Sequence, residues 1–168
     1  MAEEPPGVAD ALADAAAAFE QPPGGFEFGQ RLDPSGTDAD VVQLQTACRL
    51  LAACRTLREP GGYAASVCRL SFAAIDRSVE SYAFARDESV GDLRVGRAVG
   101  YQRAAERGLL GEDTADRIEA LHEAYRAVVT SRNAVPSPTQ AATLFELATA
   151  IHDHIAEAAE RSHECQCG

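Results

Sequence analysis

Apolar residues recur at spacings of three and four along most of this chain, and no segment alternates apolar with polar residues as a half-buried strand does. Spacings of three and four place apolar side chains on one face of an α-helix. The β-branched residues, which favour strands, are scattered along the chain. The sequence therefore predicts an all-α fold, an up-and-down bundle of four to five helices in which short connections make neighbours antiparallel.

The predicted helices lie between turn and cap signals, and they begin at Thr37, Tyr63, Tyr101, Asp113 and Ser137. The second has an apolar stripe broader than a surface helix needs, which predicts a central position in the bundle. Residues 91–100 are expected to form a loop, and Gly108 to end the short third helix. Ser137, Pro138 and Gln140 have the order of an N-cap, a first-turn proline and the closing residue of a capping box.

Neither end of the chain offers an apolar face to bury. Residues 1–36 contain two proline pairs and several glycines, and are expected to form a flexible or loosely docked appendage. Residues 37–160 are expected to form the helical bundle domain. Residues 161–168 are expected to be a disordered tail that contains two of the five cysteines.

The charge balance is strongly acidic. Against 15 Lys plus Arg stand 26 Asp plus Glu, for a net charge of −11, and every one of the cations is an arginine. Such a surface repels phosphate backbones and anionic membranes at ordinary salt. Acidity without lysine in an alanine-rich chain predicts a halophilic host. No stretch reaches the roughly 20 apolar residues of a membrane helix, and the N-terminus lacks the basic start of a signal peptide, so we expect a cytoplasmic protein without membrane contact.

The apolar line of the fourth helix, which is expected to face the core, leads to a charged residue. The members of this line are Ile118, Leu121, Tyr125 and Val128. One further step of four reaches Arg132, next to Asn133, at the end of the helix. In one interpretation the guanidinium binds carbonyls at its own helix end, or pairs with Asp76 or Glu80 on the central helix. In the other it projects into a cleft at the end of the bundle or at a dimer interface, where its rigid fork binds phosphate.

Three segments together resemble the HEPN domain superfamily. They are Ser71-Phe-Ala-Ala-Ile-Asp-Arg-Ser-Val-Glu-Ser-Tyr82 in the second helix, Ser131-Arg-Asn133 at the end of the fourth, and the loop with the proline-initiated last helix. The resemblance covers about residues 37–159 and is closest to the acidic HEPN-like proteins of haloarchaea. It implies a bundle of four or five helices, commonly dimeric, that occurs with minimal nucleotidyltransferases or as a ribonuclease toxin.

The catalytic signature that the resemblance implies is an arginine, often followed by asparagine, and then a histidine after four to six intervening residues. Arg132 and Asn133 match its first part. Ser137, Pro138 and Thr139 occupy the positions open to the histidine, and none of them is a general acid or base near neutral pH. The resemblance therefore implies the fold and argues against ribonuclease activity.

The remaining histidines and cysteines are weaker candidates. His163, Cys165 and Cys167 supply soft ligands for zinc, but alternate residues of an extended tail point in opposite directions. His152 and His154 lie about 200° apart on their helix and cannot bind one ion together.

Cys48 lies on the apolar stripe of the first helix and is expected to fill a small space in the core. The chain contains no glycine-rich phosphate loop, nucleophile elbow or paired metal motif on a helix, so no cofactor is expected. These observations favour a non-catalytic HEPN-like domain that acts through protein association, as a homodimer or as the partner of a small protein such as a nucleotidyltransferase. The alternative is a ribonuclease or nucleotide-binding toxin–antitoxin component in which Arg132 contacts the phosphate of RNA or a nucleotide. A second alternative is a structural helical bundle unrelated to HEPN proteins.

Overall fold

The structure is a computed structural model, and it describes residues 16–17, 39–85, 97–131 and 134–158. The chain divides into two compact units, Met1–Leu32 and Asp33–Gly168. In the first unit the structure describes residues 16–17, which are helical and exposed. The second unit contains the helices that form the bundle.

The described part of the second unit is built from helices, in chain order α1 Ala39–Arg58, α2 Ala64–Ala85, α3 Arg97–Glu106, α4 Glu112–Thr130 and α5 Pro138–Ala158. No strand occurs within these ranges. The predicted all-α bundle is confirmed. None of these described helices is both long and apolar enough to cross a membrane.

Helix α2 is the central element of the bundle. It packs against α1, α3 and α5, and α1 also contacts α5. Its buried residues are Val67, Cys68, Ser71, Phe72, Ala74, Ile75, Ser78, Val79, Ser81 and Tyr82. These positions cover about half of the helix circumference, because neighbours pack on more than one side. The predicted central position of the second helix is confirmed.

Two glycines reverse the chain between α1 and α2. Gly61 and Gly62 have φ angles of 70° and 82°, in the left-handed region where other residues are strained. The backbone N–H of Gly61 donates to the carbonyl oxygen of Arg58 (3.3 Å). The two helices then run antiparallel, and Arg77 late in α2 donates to the Gln43 side chain early in α1 (3.3 Å).

Gly108 ends α3, as the sequence predicts, with a φ of 72°. Its N–H donates to the carbonyl oxygen of Ala105 (2.9 Å), and the N–H of Leu109 donates to that of Ala104 (2.9 Å). This pair of bonds is a Schellman motif, which satisfies carbonyl groups at the end of a helix. Leu109 is buried immediately after the turn, so the chain is anchored before α4 begins.

Helix α3 begins earlier than predicted. Residues 97–100 are helical, so the loop expected over 91–100 is wrong at its end, while residues 91–96 lie outside the described residues. A glycine inside a helix costs about 1 kcal/mol relative to alanine, and Gly100 therefore suggested a break. The next residue, Tyr101, is buried and hydrogen-bonded to Asp76 on α2. This tertiary contact offsets the low helix propensity of the glycine.

Candidate functional site

The connection between α4 and α5 is where the sequence analysis places its candidate site. Arg132 and Asn133 lie outside the described residues, so their role in phosphate binding stays a prediction. The chain is described again from Ala134, and Pro136 in this segment is buried.

Ser137 is the N-cap of α5. The backbone N–H of Gln140 donates to Ser137 Oγ (3.1 Å), and the backbone N–H of Ser137 donates to Gln140 Oε1 (2.8 Å). This reciprocal pair is a capping box, and Pro138 is the first residue of the helix. The predicted cap is confirmed. The Ser137 hydroxyl oxygen is thus engaged by the backbone at a position where the HEPN signature would place a histidine.

The two carboxylates considered as partners of Arg132 have other partners. The Tyr101 hydroxyl donates to Asp76 Oδ1 (2.6 Å), which links α3 to α2. Glu80 forms an ion pair with Arg77 (2.7 Å), three residues earlier on the same helix. Both carboxylates therefore stabilise the described bundle, while any contact of either with Arg132 lies outside the described residues.

Helix α4 is buried near its beginning and exposed towards its end. Its buried residues are Ala115 and Ile118, whereas Leu121 is 42% exposed and Val129 is 41% exposed. The expectation that Leu121 continues a core-facing line is wrong. Helical spacing assigns Leu121 to the apolar side of α4, but it does not determine whether another helix covers that side.

A cavity of about 240 Å³, which we name the α4 pocket, lies between α2, α4 and the beginning of α5. Its lining residues are Cys68, Phe72, Leu121, Ala124, Tyr125, Val128, Pro136, Gln140, Thr143 and Leu144. The apolar line of α4 therefore faces open space over its second half instead of tightly packed side chains.

Aromatic rings stack beside the α4 pocket. The ring centroids of Phe72 and Tyr125 lie 5.2 Å apart with planes tilted by 38°. The ring of His122 meets Phe72 edge-on, with centroids 4.8 Å apart. These separations are those of attractive aromatic pairs. Phe72 and Tyr125, which line the pocket, thus contact each other, and Phe72 also contacts His122, which is not among the lining residues.

None of the described residues that line the α4 pocket carries a formal charge at neutral pH. Burial raises the pKa of the Cys68 thiol, and the neighbouring Cys54 raises it further, so Cys68 stays protonated. The Thr143 hydroxyl donates to the carbonyl oxygen of Thr139 (3.0 Å), and Gln140 Oε1 belongs to the capping box. The chemistry of these described residues suits an uncharged ligand.

A buried polar network that the sequence analysis missed lies inside the bundle. His152 is 0% exposed, with Nε2 3.2 Å from Cys48 Sγ and Nδ1 3.1 Å from Ser78 Oγ. The Ser78 hydroxyl donates its single hydrogen to the carbonyl oxygen of Ala74 (2.9 Å). Ser78 Oγ therefore accepts from Nδ1–H, which leaves Nε2 to accept from the Cys48 thiol.

The network joins three helices, because Cys48 belongs to α1, Ser78 to α2 and His152 to α5. A thiol beside an imidazole is also the arrangement of a nucleophile and its general base. Here Cys48 is only 3% exposed and His152 has no exposed surface, so a substrate reaches neither group in this conformation. The network holds helices together.

Cys48 is a core residue, as predicted, but its polar partner was not foreseen. One signal in the sequence identifies that partner: His152 follows Ala148 by four residues and precedes Ile155 by three. This spacing places the imidazole on the apolar stripe of α5. A histidine on such a stripe needs a buried hydrogen-bond partner, and Cys48 and Ser78 supply it.

Within the described ranges, no group of three or more histidine, cysteine or acidic residues is placed to hold a metal ion. His154 Nε2–H donates to the carbonyl oxygen of Leu109 (2.8 Å), well apart from the surroundings of buried His152. The weak zinc candidates of the tail, His163, Cys165 and Cys167, lie outside the described residues and stay a prediction.

Fold and site together define a class of protein: an all-α bundle with a capped α4–α5 connection, a neutral pocket beside α4 and a closed thiol–imidazole network. A family model described as "Domain of unknown function (DUF8154)" matches residues 3–167, and the chain belongs to that family. No curated protein and no solved structure matches the chain. These comparisons do not bear on the HEPN resemblance, which stays a prediction.

Proposed function

We propose that this chain is a non-catalytic, HEPN-like helical domain that acts by associating with a second copy of itself. The observation that carries the proposal is a set of exposed apolar side chains, Leu121 and Val129 on α4 and Val135 in the connection that follows it, which we name the α4 surface. Val135 is 81% exposed. Of the large hydrophobic side chains exposed in the described part of the chain, all but Tyr63 belong to this short stretch. Such clustering is typical of an interaction surface.

A two-fold homodimer suits a surface carried by one helix and the connection after it, because the same residues then supply both sides of the interface. The exposed ion pairs Arg126–Glu123 (3.1 Å) and Arg117–Asp113 (3.8 Å) lie on the same helix. An apolar centre with charged residues nearby resembles the centre and polar rim of protein interfaces. These features support self-association through α4.

The net charge of −11 on each copy opposes association at low salt. At 1 M salt the Debye length falls to about 3 Å, which removes most of this repulsion. The proposed dimer therefore strengthens as salt increases. Binding of RNA or a nucleotide through Arg132 would weaken over the same range, because phosphate contacts lose counterion release at high salt.

The non-catalytic part of the proposal is supported by the two groups that could otherwise have chemical roles. The Ser137 hydroxyl accepts from the backbone of α5 as its N-cap. The Cys48 thiol is closed inside the bundle against His152. The Ser137 hydroxyl is thus engaged in the cap, and the Cys48 thiol is buried away from a substrate.

Sedimentation equilibrium in molar salt tests the proposal with the parent protein, Val129→Glu and Ala127→Glu. Both variants add one carboxylate to an exposed position of α4, and Ala127 lies about 200° round the helix from Val129. The parent is expected to dimerise, Val129→Glu to raise the dimer dissociation constant by roughly tenfold or more, and Ala127→Glu to leave it unchanged.

A parent that stays monomeric in molar salt, or variants that weaken the dimer equally, would contradict self-association through α4. Co-expression with a small nucleotidyltransferase provides a second arm. If the isolated chain is monomeric but forms a complex that Val129→Glu disrupts, the α4 surface serves that partner instead of a second copy.

A further inference from the structure

The α4 pocket is an apolar recess that is open to solvent on one side, and it is larger than a packing defect. Protein interiors contain few voids larger than one water molecule. The α4 pocket, at about 240 Å³, is far larger than such a void, and its lining combines the buried residues Cys68 and Leu144 with the exposed residues Leu121 and Ala124. The polar atoms of Gln140 Oε1 and the Thr143 hydroxyl are already bonded within α5 and its cap. The described lining also includes the Gln140 amide nitrogen and the Tyr125 hydroxyl, so it combines an apolar surface with a few polar groups.

The size of the pocket indicates a small organic ligand. A cavity of about 150 Å³ lined by aliphatic and aromatic side chains stays dry and binds benzene in another protein. The α4 pocket, at about 240 Å³, is larger by roughly one half, which leaves room for a second fused ring.

The composition of the lining indicates the charge and shape of that ligand. The ten described residues that line the pocket include no charged residue. A charged ligand would lose its hydration there without gaining a partner. The Phe72 and Tyr125 rings offer surfaces on which a planar ring can stack.

We propose that the α4 pocket is a binding site for a small, neutral, planar aromatic molecule of one or two fused rings. The buried residues Cys68 and Leu144 form its deep side, and the exposed residues Leu121 and Ala124 mark its mouth. Every described lining residue belongs to one chain, so the inference does not require the proposed self-association; Leu121 belongs to both the mouth of the pocket and the α4 surface, so a dimer formed through α4 would compete with the ligand.

Indole is a suitable fluorescent probe. The chain contains no tryptophan, so the protein itself has no indole fluorescence. Full-length protein is titrated into indole, and the emission is expected to shift to shorter wavelength and to saturate at one indole per chain. Indole-3-carboxylate has the same rings and an added negative charge. It is expected to bind more weakly by roughly tenfold or more.

Two phenylalanine variants on adjacent residues of α4 locate the binding. Val128→Phe fills the pocket from α4, whereas Ala127→Phe places the same side chain on an exposed position that does not line it. Val128→Phe is expected to weaken indole binding by roughly tenfold or more, and Ala127→Phe to bind as the parent does. Thr143→Phe fills the pocket from α5 and replaces Val128→Phe if circular dichroism shows that the latter is unfolded.

Absence of a saturable shift, equal losses in the two α4 variants, or equal affinity for indole and its carboxylate would each overturn the proposal. One further outcome assigns the pocket elsewhere. If indole does not bind but Val128→Phe abolishes dimerisation, the pocket receives a side chain of the second copy and the small-molecule site is ruled out.

Discussion

Replacement of His152 by alanine is the most direct test of the buried polar network. The side chain is 0% exposed, so its loss leaves a cavity between α1, α2 and α5. Large-to-small changes in a core cost about 2 to 5 kcal/mol. The variant also removes the contact between Nε2 and the Cys48 thiol, which is a weak hydrogen bond. We therefore expect His152→Ala to lower the free energy of unfolding by about 3 to 5 kcal/mol.

His154→Ala is the matched control, because it makes the same change two residues further along α5. The His154 side chain is exposed and donates to the carbonyl oxygen of Leu109. Loss of one such hydrogen bond costs about 0.5 to 1.5 kcal/mol. Urea unfolding at neutral pH in molar salt measures the free energy of unfolding of both variants, with loss of helix followed by far-ultraviolet circular dichroism.

The comparison of the two histidine variants tests whether the buried polar network stabilises the bundle. If His152→Ala and His154→Ala destabilise the protein equally, to within about 0.5 kcal/mol, the network does not stabilise the bundle as its geometry indicates. Ser78→Ala offers a second check, since it leaves His152 Nδ1–H without its acceptor. That variant is expected to cost about 1 to 3 kcal/mol.

Three further predictions concern the core, the thiols and salt. Ile75→Ala, at a fully buried position, is expected to lower the free energy of unfolding in urea by about 2 to 5 kcal/mol. Leu121→Ala is expected to lower it by less than about 1.5 kcal/mol, because Leu121 is 42% exposed. Equal losses in the two variants would contradict the burial described above. Burial raises the pKa of Cys54 and Cys68, so the folded chain keeps these thiol protons at a pH where the unfolded chain has lost them. The protonated thiols therefore contribute their full stability below the ordinary thiol pKa of 9.0, and this contribution declines as pH rises through the raised pKa values. Urea midpoints across this alkaline range should fall less in Cys54→Ala than in the parent, and parallel curves would refute the assignment. With a net charge of −11, the thermal midpoint should rise from low to molar salt, and a flat midpoint would contradict the halophilic prediction.

The start or end of a helix could be predicted from the sequence where nearby residues determine it. Ser137 and Gln140 form a capping box from spacing alone, and Gly108 adopts the left-handed conformation that a helix end requires. The start of α3 did not follow, because Gly100 is unfavourable in a helix and the contact that overrides it, Tyr101 with Asp76, joins residues 25 apart.

The candidate site was less accessible to sequence analysis than the fold. The apolar line through Leu121 is real, but a line on one helix does not determine how closely the next helix approaches. The α4 pocket depends on the separation of α2, α4 and α5, which no residue pattern on one helix encodes. Burial of His152 could have been predicted, since the residue lies on the apolar stripe of α5. Its partners could not, because they belong to helices distant in the sequence.

The link between Cys48 and His152 joins residues 104 positions apart, and this separation matters while the chain is being made. At synthesis rates of about 5 to 20 residues per second, roughly 5 to 20 s pass between the appearance of the two residues. During that interval α1 and α2 can form their hairpin, but the sides that α5 covers remain exposed to water. A nascent or prematurely terminated chain that ends before α5 therefore presents the apolar surface on which chaperones act and through which unfinished proteins aggregate.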